Sequence, residues 1–345
     1  MARGPSLLLD AFAMTSPLQL DIALESWPLK KPFRITGETL HDFQVVVVTL
    51  QRGDAVGHGE ATGVSYLQDT PASIVERLRA LQGEIEDGHV EAVVAHMPIG
   101  GARNALDCAL WDLRAKEAGV PVWKLAGVER VRPLCTTFTL GADSPADMAE
   151  GARQWPQAKS LKLKLTGTDE DADRVRRVRA ARPDVWMGVD ANRGFTVDKL
   201  ERLLPVLVAC RVELIEQPFA LGCDADLEGL SCPIPIAADE SIQGVDDLLV
   251  RGHLYDVVNI KLDKCGGLTE GLEMARVARR MGLTPMVGTM GGTSRAMAAG
   301  FVVGQSCNVV DLDGPVLLKQ DRLPAARYDD GLIWCDDAVW GGPRG

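Results

Sequence analysis

Five charged residues recur at regular intervals in the second half of the chain: Lys164, Asp190, Glu216, Asp239 and Lys264, separated by 26, 26, 23 and 25 residues. They stand in Leu161-Lys162-Leu163-Lys164, Val189-Asp190-Ala191-Asn192, Ile215-Glu216-Gln217-Pro218, Ala238-Asp239-Glu240-Ser241 and Lys264-Cys265-Gly266-Gly267. A charged side chain at the end of an apolar strand loses its water and must pair or bind an ion. Three carboxylates so placed make a hard oxygen site suited to Mg2+. Zinc would want His or Cys, which these motifs do not offer as ligands. Asn192 and Glu240 stand behind the three ligands. Three unrelated ion pairs are the plainer alternative, and equal spacing on successive strands argues against it.

Lysines stand on either side of the trio. A metal ion holding a substrate carboxylate as a Lewis acid would stabilise an enediolate formed when a lysine removes the α-proton. Bases on opposite faces let the proton leave on one side and return on the other, which inverts the carbon. Lys162 and Lys164 share one face of an alternating strand, with leucines on the other. Two adjacent ammonium groups repel, which favours losing one proton and prepares a base. An edge strand guarded by lysines has the same pattern, and the downstream motifs decide against it. On the far side Lys261 competes with Lys264, three residues away and on a different face. Lys264 is preferred because Gly266-Gly267 would let backbone approach a ligand. The last strand ends Val309-Val310-Asp311-Leu312-Asp313-Gly314-Pro315. Asp311 and Asp313 share a face and suit a substrate ammonium group; a plain Asp-Gly-Pro turn is the alternative.

The elements that must carry these residues follow from periodicity. Short apolar strands are expected at 134–140, 161–165, 186–190, 212–216, 234–238, 257–261, 284–287 and 308–311, with amphipathic helices between most of them. That alternation predicts a parallel α/β barrel, whose chemistry lies at the carboxyl ends of its strands. The last crossover is rich in Gly and Ala, and no eighth helix is obvious. The Gly288–Ser294 loop reads as tight packing rather than a phosphate cradle, with Gly291-Gly292 opening space near the pocket. Before the barrel, residues 18–130 read as an α+β cap of three antiparallel strands and several helices, including one over 102–118. Two loops in it, 30–42 and 62–70, could act as flaps. Residues 1–17 read as a loose tail rather than a signal peptide, the barrel as 131–315, and 316–345 as an irregular segment packing back on the cap.

The chain has 345 residues, enough for one large and one smaller domain. With 37 basic and 48 acidic side chains its formal charge is −11, and it carries no basic stripe; nucleic acid is excluded as a partner. The basic run Arg174–Arg182 has helical spacing and reads as a solvated outer face. No run of 18 apolar residues exists, so a membrane span is not expected. Eight scattered cysteines without a C-x-x-C pair fit free thiols in a reducing cytosol. Homo-oligomeric assembly is compatible with these features.

Taken together, Lys162-Leu-Lys164, Asp190-Ala-Asn192, Glu216-Gln-Pro218, Asp239-Glu240-Ser241 and Lys264-Cys-Gly-Gly267 resemble the enolase superfamily, muconate-lactonizing subgroup, over essentially the whole chain. The resemblance implies a modified TIM barrel, (β/α)7β, under an N-terminal α+β cap. It implies Mg2+ on Asp190, Glu216 and Asp239, Lys164 and Lys264 as the acid/base pair, and Lys162 as an electrostatic helper near the substrate carboxylate. Asp311-Leu-Asp313 resembles the motif by which dipeptide epimerases hold a dipeptide's α-ammonium, and the branch it is most similar to acts on L-Ala-D/L-Glu. Relatives acting on acidic dipeptides carry an arginine in the flap. Here Phe33, Arg34 and Glu38 occupy that flap, and Arg34 could serve only if it points inward. Glu38 would repel an acidic side chain and favour a basic or neutral one, so another L-Ala-X dipeptide or a basic or neutral dipeptide stands beside L-Ala-D/L-Glu as the expected substrate. Thr139 and Met290 complete the candidate substrate contacts. The resemblance thus implies a small dipeptide as ligand and a two-base epimerase in the cytoplasm. A lyase or cycloisomerase such as o-succinylbenzoate synthase or muconate cycloisomerase is the alternative on this scaffold, and a non-catalytic binding barrel a more distant one.

Overall fold

The computed structural model describes residues 16–35 and 37–344, without the side chain of Glu38. The first fifteen residues of the expected tail lie outside the described residues. The cap opens with three antiparallel strands, β1 (Leu18–Ile35), β2 (Glu38–Arg52) and β3 (Ala55–Ala61), in that order. Val46, Val48 and Leu50 of β2 point into a core shared with Ile74, Leu78, Leu106, Ala109 and Leu113. Helix Gly101–Ala118 lies directly on β3. Gly57 and Gly59 make that approach possible: a Cβ there would stand 2.3 and 1.9 Å from the carbonyl oxygens of Ala109 and Ala105.

The stretch 30–42, expected as an excursion between strands, is the far end of the β1–β2 hairpin. Pairing shifts between Pro28 and Phe33, then resumes with Phe33 opposite Leu40, Arg34 opposite Thr39 and Ile35 opposite Glu38. Proline cannot supply a ladder hydrogen bond, and the interruption falls where Pro28 and Pro32 stand. This restored register decides which flap side chains face inward.

The second domain contains eight parallel strands: β5 (Phe138–Leu140), β6 (Ser160–Lys164), β7 (Trp186–Asp190), β8 (Leu214–Glu216), β9 (Ile236–Ala238), β10 (Val257–Lys261), β11 (Thr284–Gly288) and β12 (Val309–Val310). They pair in sequence order. The amide of Thr137, just before β5, donates to Val310 O of β12 at 2.9 Å, so the two outer strands meet. This is a (β/α)7β barrel. The β8 crossover carries only a 3-10 turn, Asp224–Leu227; the others carry α-helices. The Gly/Ala-rich last crossover does form a helix, Ser294–Gly304, capped by Thr293 and buried along most of its length. Its small residues let it lie close to the sheet, where an amphipathic stripe is not needed.

The expected first barrel strand, 134–140, divides in two. Its first part, β4 (Leu134–Cys135), pairs with the terminal hairpin of β13 (Arg327–Asp329) and β14 (Leu332–Trp334). Beyond that hairpin, Trp340 Nε1 donates to His58 O at 2.6 Å and Gly341 N to Asp112 Oδ1 at 3.0 Å, both in the cap. The run 174–182 is less solvated than its pattern implies. Arg174 and Arg182 are buried, holding Asp171 and the carbonyls of Asp143, Trp155 and Ala158. No helix among the described residues is long and apolar enough to cross a membrane. The eight cysteines are unpaired.

Candidate active site

Strand register brings the spaced charges together. Lys164 lies opposite Asp190 across β6–β7, and Asp190 opposite Glu216 across β7–β8. Asp239 follows directly after β9. One carboxylate oxygen from each of Asp190, Glu216 and Asp239 lies within 4.8 Å of the others, and all three side chains are buried. Three like charges this close raise one another's proton affinity. Burial, then Asp190, pushes Glu216 up to about 7 against the pull of Lys162. Asp239 goes the other way: burial is outweighed by Lys261 and Lys264, which hold it well below the carboxylate range. Asn259 Nδ2 donates to Glu216 Oε1 at 2.7 Å, and Asn192 N to Asp190 Oδ1 at 2.8 Å. Asp239 Oδ1 is buried without a directed hydrogen bond, although Lys264 Nζ is 2.7 Å away. Glu240 Oε2 and Asn192 Oδ1 beside it are also unpartnered. All-oxygen donors, convergence and orphaned acceptors fit a hard divalent cation.

Lys162 and Lys164 both line the cavity, as the strand period requires. The repulsion read from Lys162 and Lys164 is cancelled, because each has its own carboxylate. Lys164 Nζ is 2.5 Å from Asp190 Oδ2. Lys162 Nζ is bonded to Asp311 Oδ2 and lies 3.2 Å from Glu216 Oε2. Burial works to remove the Lys162 proton, but Asp311, then Glu216 and Asp190, hold it well above the ordinary lysine range. Lys162 is thus a fixed positive charge.

Lys264 does not face the mouth. It sits past the end of β10 in the short helical turn Leu262–Cys265, with a wholly buried side chain. Its ammonium donates to the carbonyls of Asp239, Ile242 and Asn259, the last two at 3.0 Å. Lys261 is the lysine that lines the cavity, 2.6 Å from Asp239 Oδ2. The strand period explains it. Val257 packs inside the barrel with Leu214 and Met286, so Asn259 and Lys261 face inward too. The signal for Lys261 was available in the Val257-x-Asn259-x-Lys261 alternation. Gly266-Gly267 serves the cap rather than a ligand: a Cβ at Gly267 would lie 2.4 Å from Asp107 Oδ2. Similarly, Gly291-Gly292 opens no space; Cβ atoms there would meet Phe43 at 2.6 Å and Glu60 at 2.9 Å.

β6 and β10 stand four positions apart in the order of eight strands, so Lys164 and Lys261 approach the cavity from opposite walls. That cavity, about 680 Å3, lies between the barrel mouth and the cap, within the size range of small-ligand sites. Asp311 and Asp313 both line it but divide their tasks. Asp311 is occupied by Lys162, Thr137 and Thr139. Asp313 Oδ2 accepts from Thr139 N at 2.6 Å. Burial, then the charge of Asp311, pushes Asp313 up to about 6. Thr139 also borders the cavity, with its polar groups spent on this pair.

The flap contributes an apolar wall: Phe33, Ile35 and Leu40, beside Phe43, Met290 and Leu317. Arg34 is on the other face of the hairpin. Its guanidinium pairs with Asp143 at 2.5 Å and its side chain is 53% exposed, so the inward alternative does not hold. The Glu38 side chain lies outside the described residues. Arg193 is a further cavity cation, absent from the sequence expectation. It stacks on Tyr66 of the cap at 4.9 Å and pairs with Glu240 Oε1 at 3.1 Å. Its position three residues after a strand-end carboxylate was the available signal.

Known proteins share this architecture. Residues 18–127 match the mandelate racemase / muconate lactonizing enzyme N-terminal domain, and residues 146–338 the enolase C-terminal domain-like family. The L-Ala-D/L-Glu epimerase of Escherichia coli K12 is 37% identical over 312 residues, covering 90% of this chain and 97% of that protein. An enolase family member from Agrobacterium tumefaciens with homology to dipeptide epimerases, solved with sodium and L-Ala-L-Glu, superposes with a TM-score of 0.91 at 37% identity, covering 94% of this chain and all of that one. A dipeptide epimerase from Enterococcus faecalis V583, complexed with Mg and L-Leu-L-Tyr, gives 0.84 at 26% identity, covering 95% of this chain and 99% of that one.

Proposed function

Because this chain belongs to the mandelate racemase and muconate lactonizing enzyme family of the enolase superfamily, we propose that it is a Mg2+-dependent dipeptide epimerase. It is an isomerase that inverts the α-carbon of the C-terminal residue. The observation that carries this reading is that Lys164 and Lys261 reach the cavity from opposite walls beside the carboxylate trio, with the buried Asp313 also lining it.

Asp190, Glu216 and Asp239 would hold the ion. A bound Mg2+ would supply a Lewis acid for the substrate carboxylate; Lys164 and Lys261 are paired with two of its would-be ligands, Asp190 and Asp239. Lys162, kept protonated by Asp311, adds a fixed positive charge beside the developing enediolate. One of Lys164 and Lys261, as the neutral amine, takes the α-proton onto Nζ while the C–H electron pair moves into the substrate carboxylate. The other, as an ammonium, returns a proton to the opposite face of the carbon. Asp313 binds the α-ammonium of the N-terminal residue. A lyase or cycloisomerase acting on a non-amino substrate has no use for this buried carboxylate, which supports the epimerase reading.

The wall of Phe33, Ile35, Leu40 and Met290 favours a neutral, apolar side chain on the inverted residue. A substrate carboxylate placed there would lose hydration without a partner, since Arg34 is turned away. The test is a panel of L-Ala-X dipeptides incubated with enzyme and Mg2+ in D2O. Deuterium at the α-carbon of apolar X residues, ahead of X = Glu, is expected. A panel with no α-exchange sinks the epimerase reading, and preferential exchange of Glu sinks the side-chain assignment.

A further inference from the structure

Gln217 follows Glu216 at the end of β8, is wholly buried and has a left-handed backbone, φ +34°. A non-glycine residue stays there only when its surroundings over-determine it. The amide side chain is fully used. Its Oε1 accepts from Asp239 N at 2.9 Å and Ser241 N at 3.1 Å; its Nε2 donates to Ser241 Oγ at 2.9 Å and Phe219 O at 3.2 Å. Its carbonyl accepts from Arg193 N, three residues beyond Asp190, at 2.9 Å. The three segments that bear the carboxylates therefore meet at this one residue. Ser241 Oγ passes the restraint on to Asp224, which also receives the Tyr255 hydroxyl. From the other side, Lys264 grips the same turn through the carbonyls of Asp239 and Ile242.

Carboxylates within 4.8 Å of one another repel, so their backbone must be restrained if they are to converge before a cation arrives. We propose that Gln217 is the positioning residue that presets this site for a divalent cation, an inference that rests on the metal-site reading above. Gln217 is fully buried and is not among the residues that line the cavity, and its neutral side chain would add no charge to the site.

The experiment measures metal binding directly, by Mn2+ electron paramagnetic resonance and Mg2+ calorimetry on the full chain. Gln217→Met keeps similar volume and removes all four side-chain hydrogen bonds. Its Kd for Mn2+ should rise roughly 10- to 100-fold, as for other residues that orient metal ligands. The Mg2+ concentration for half-maximal activity should rise in parallel, while kcat at saturating Mg2+ falls by less than the metal affinity does. A role in folding alone would lower the melting temperature and leave the Kd of the folded protein unchanged; that result overturns the proposal. If Gln217→Met does not fold, Ser241→Ala decides. It frees one end of the amide and should weaken Mn2+ binding roughly two- to tenfold, the value of one hydrogen bond; an unchanged Kd overturns the proposal. Failure of the wild-type chain to bind Mn2+ would instead sink the metal-site reading itself.

Discussion

Asp313→Asn isolates recognition of the substrate ammonium. The change keeps the side-chain volume and leaves an acceptor for the Thr139 amide, which now bonds Asp313 Oδ2 at 2.6 Å. Only the charge is lost. A hydrogen bond to a charged group contributes about 1.5–3 kcal/mol, which at about 1.4 kcal/mol per decade is roughly a 10- to 100-fold rise in KM. The loss should apply to dipeptides with a free amino terminus and vanish for N-acetylated ones, whose affinity the substitution leaves alone. A pH signature accompanies it. Burial and the charge of Asp311 push Asp313 up to about 6, and the ammonium requires the ionised form. Wild-type kcat/KM for free dipeptides should therefore fall as pH drops below about 6, and Asp313→Asn should lack that limb. The assay is α-deuterium exchange at varied substrate concentration and pH. An unchanged KM, or a limb that persists in the variant, refutes the assignment of Asp313.

Two further perturbations test the positions around the site. Arg34→Ala should leave KM for every dipeptide, acidic ones included, within about twofold, because an exposed ion pair facing Asp143 contributes little; a selective loss with X = Glu in the kinetic panel would mean that the flap register is wrong. Asp263, buried where the barrel meets the cap, accepts from the amides of Thr62 and Gly63. Burial pushes it up to about 7. Its folded pKa exceeds the unfolded one, so the stability linked to its proton is present in acid and is lost as pH rises toward about 7. Asp263→Asn should therefore gain in melting temperature relative to wild type between pH 5 and pH 8, and an equal difference at both pH values contradicts this.

The carboxylate trio was legible in the sequence because one strand-plus-crossover unit takes about 25 residues, so a charge recurring with that period must return to the same rim. Lys162 and Lys164 were legible from the two-residue strand period. What failed was parity beyond a strand's end. Lys264 follows β10 by three residues, after the chain has turned into a helix, and alternation no longer says where it points. Lys261, in phase with Val257 and Asn259, faces the cavity. Phe33 of the flap lines the cavity, but the direction of Arg34 was left open for a related reason. The irregularity between Pro28 and Phe33 resets the hairpin register, and with it the side on which Arg34 emerges. Nor could alternation show that Asp311, 149 residues away in the chain, would pair with Lys162 and hold its proton. Local period gives a residue's face, whereas its partner depends on closure of the barrel.

Lys164 and Lys261 approach the cavity from opposite walls, and exchange without inversion tests their pairing as acid and base most directly. Each purified epimer of a reactive dipeptide is incubated in D2O with Mg2+ and Lys164→Ala or Lys261→Ala, with Mn2+ binding checked for both variants. Each variant should wash deuterium into one epimer only, opposite epimers for the two variants, and neither should convert one epimer to the other. Inversion that survives in Lys261→Ala would contradict the pairing of Lys164 with Lys261.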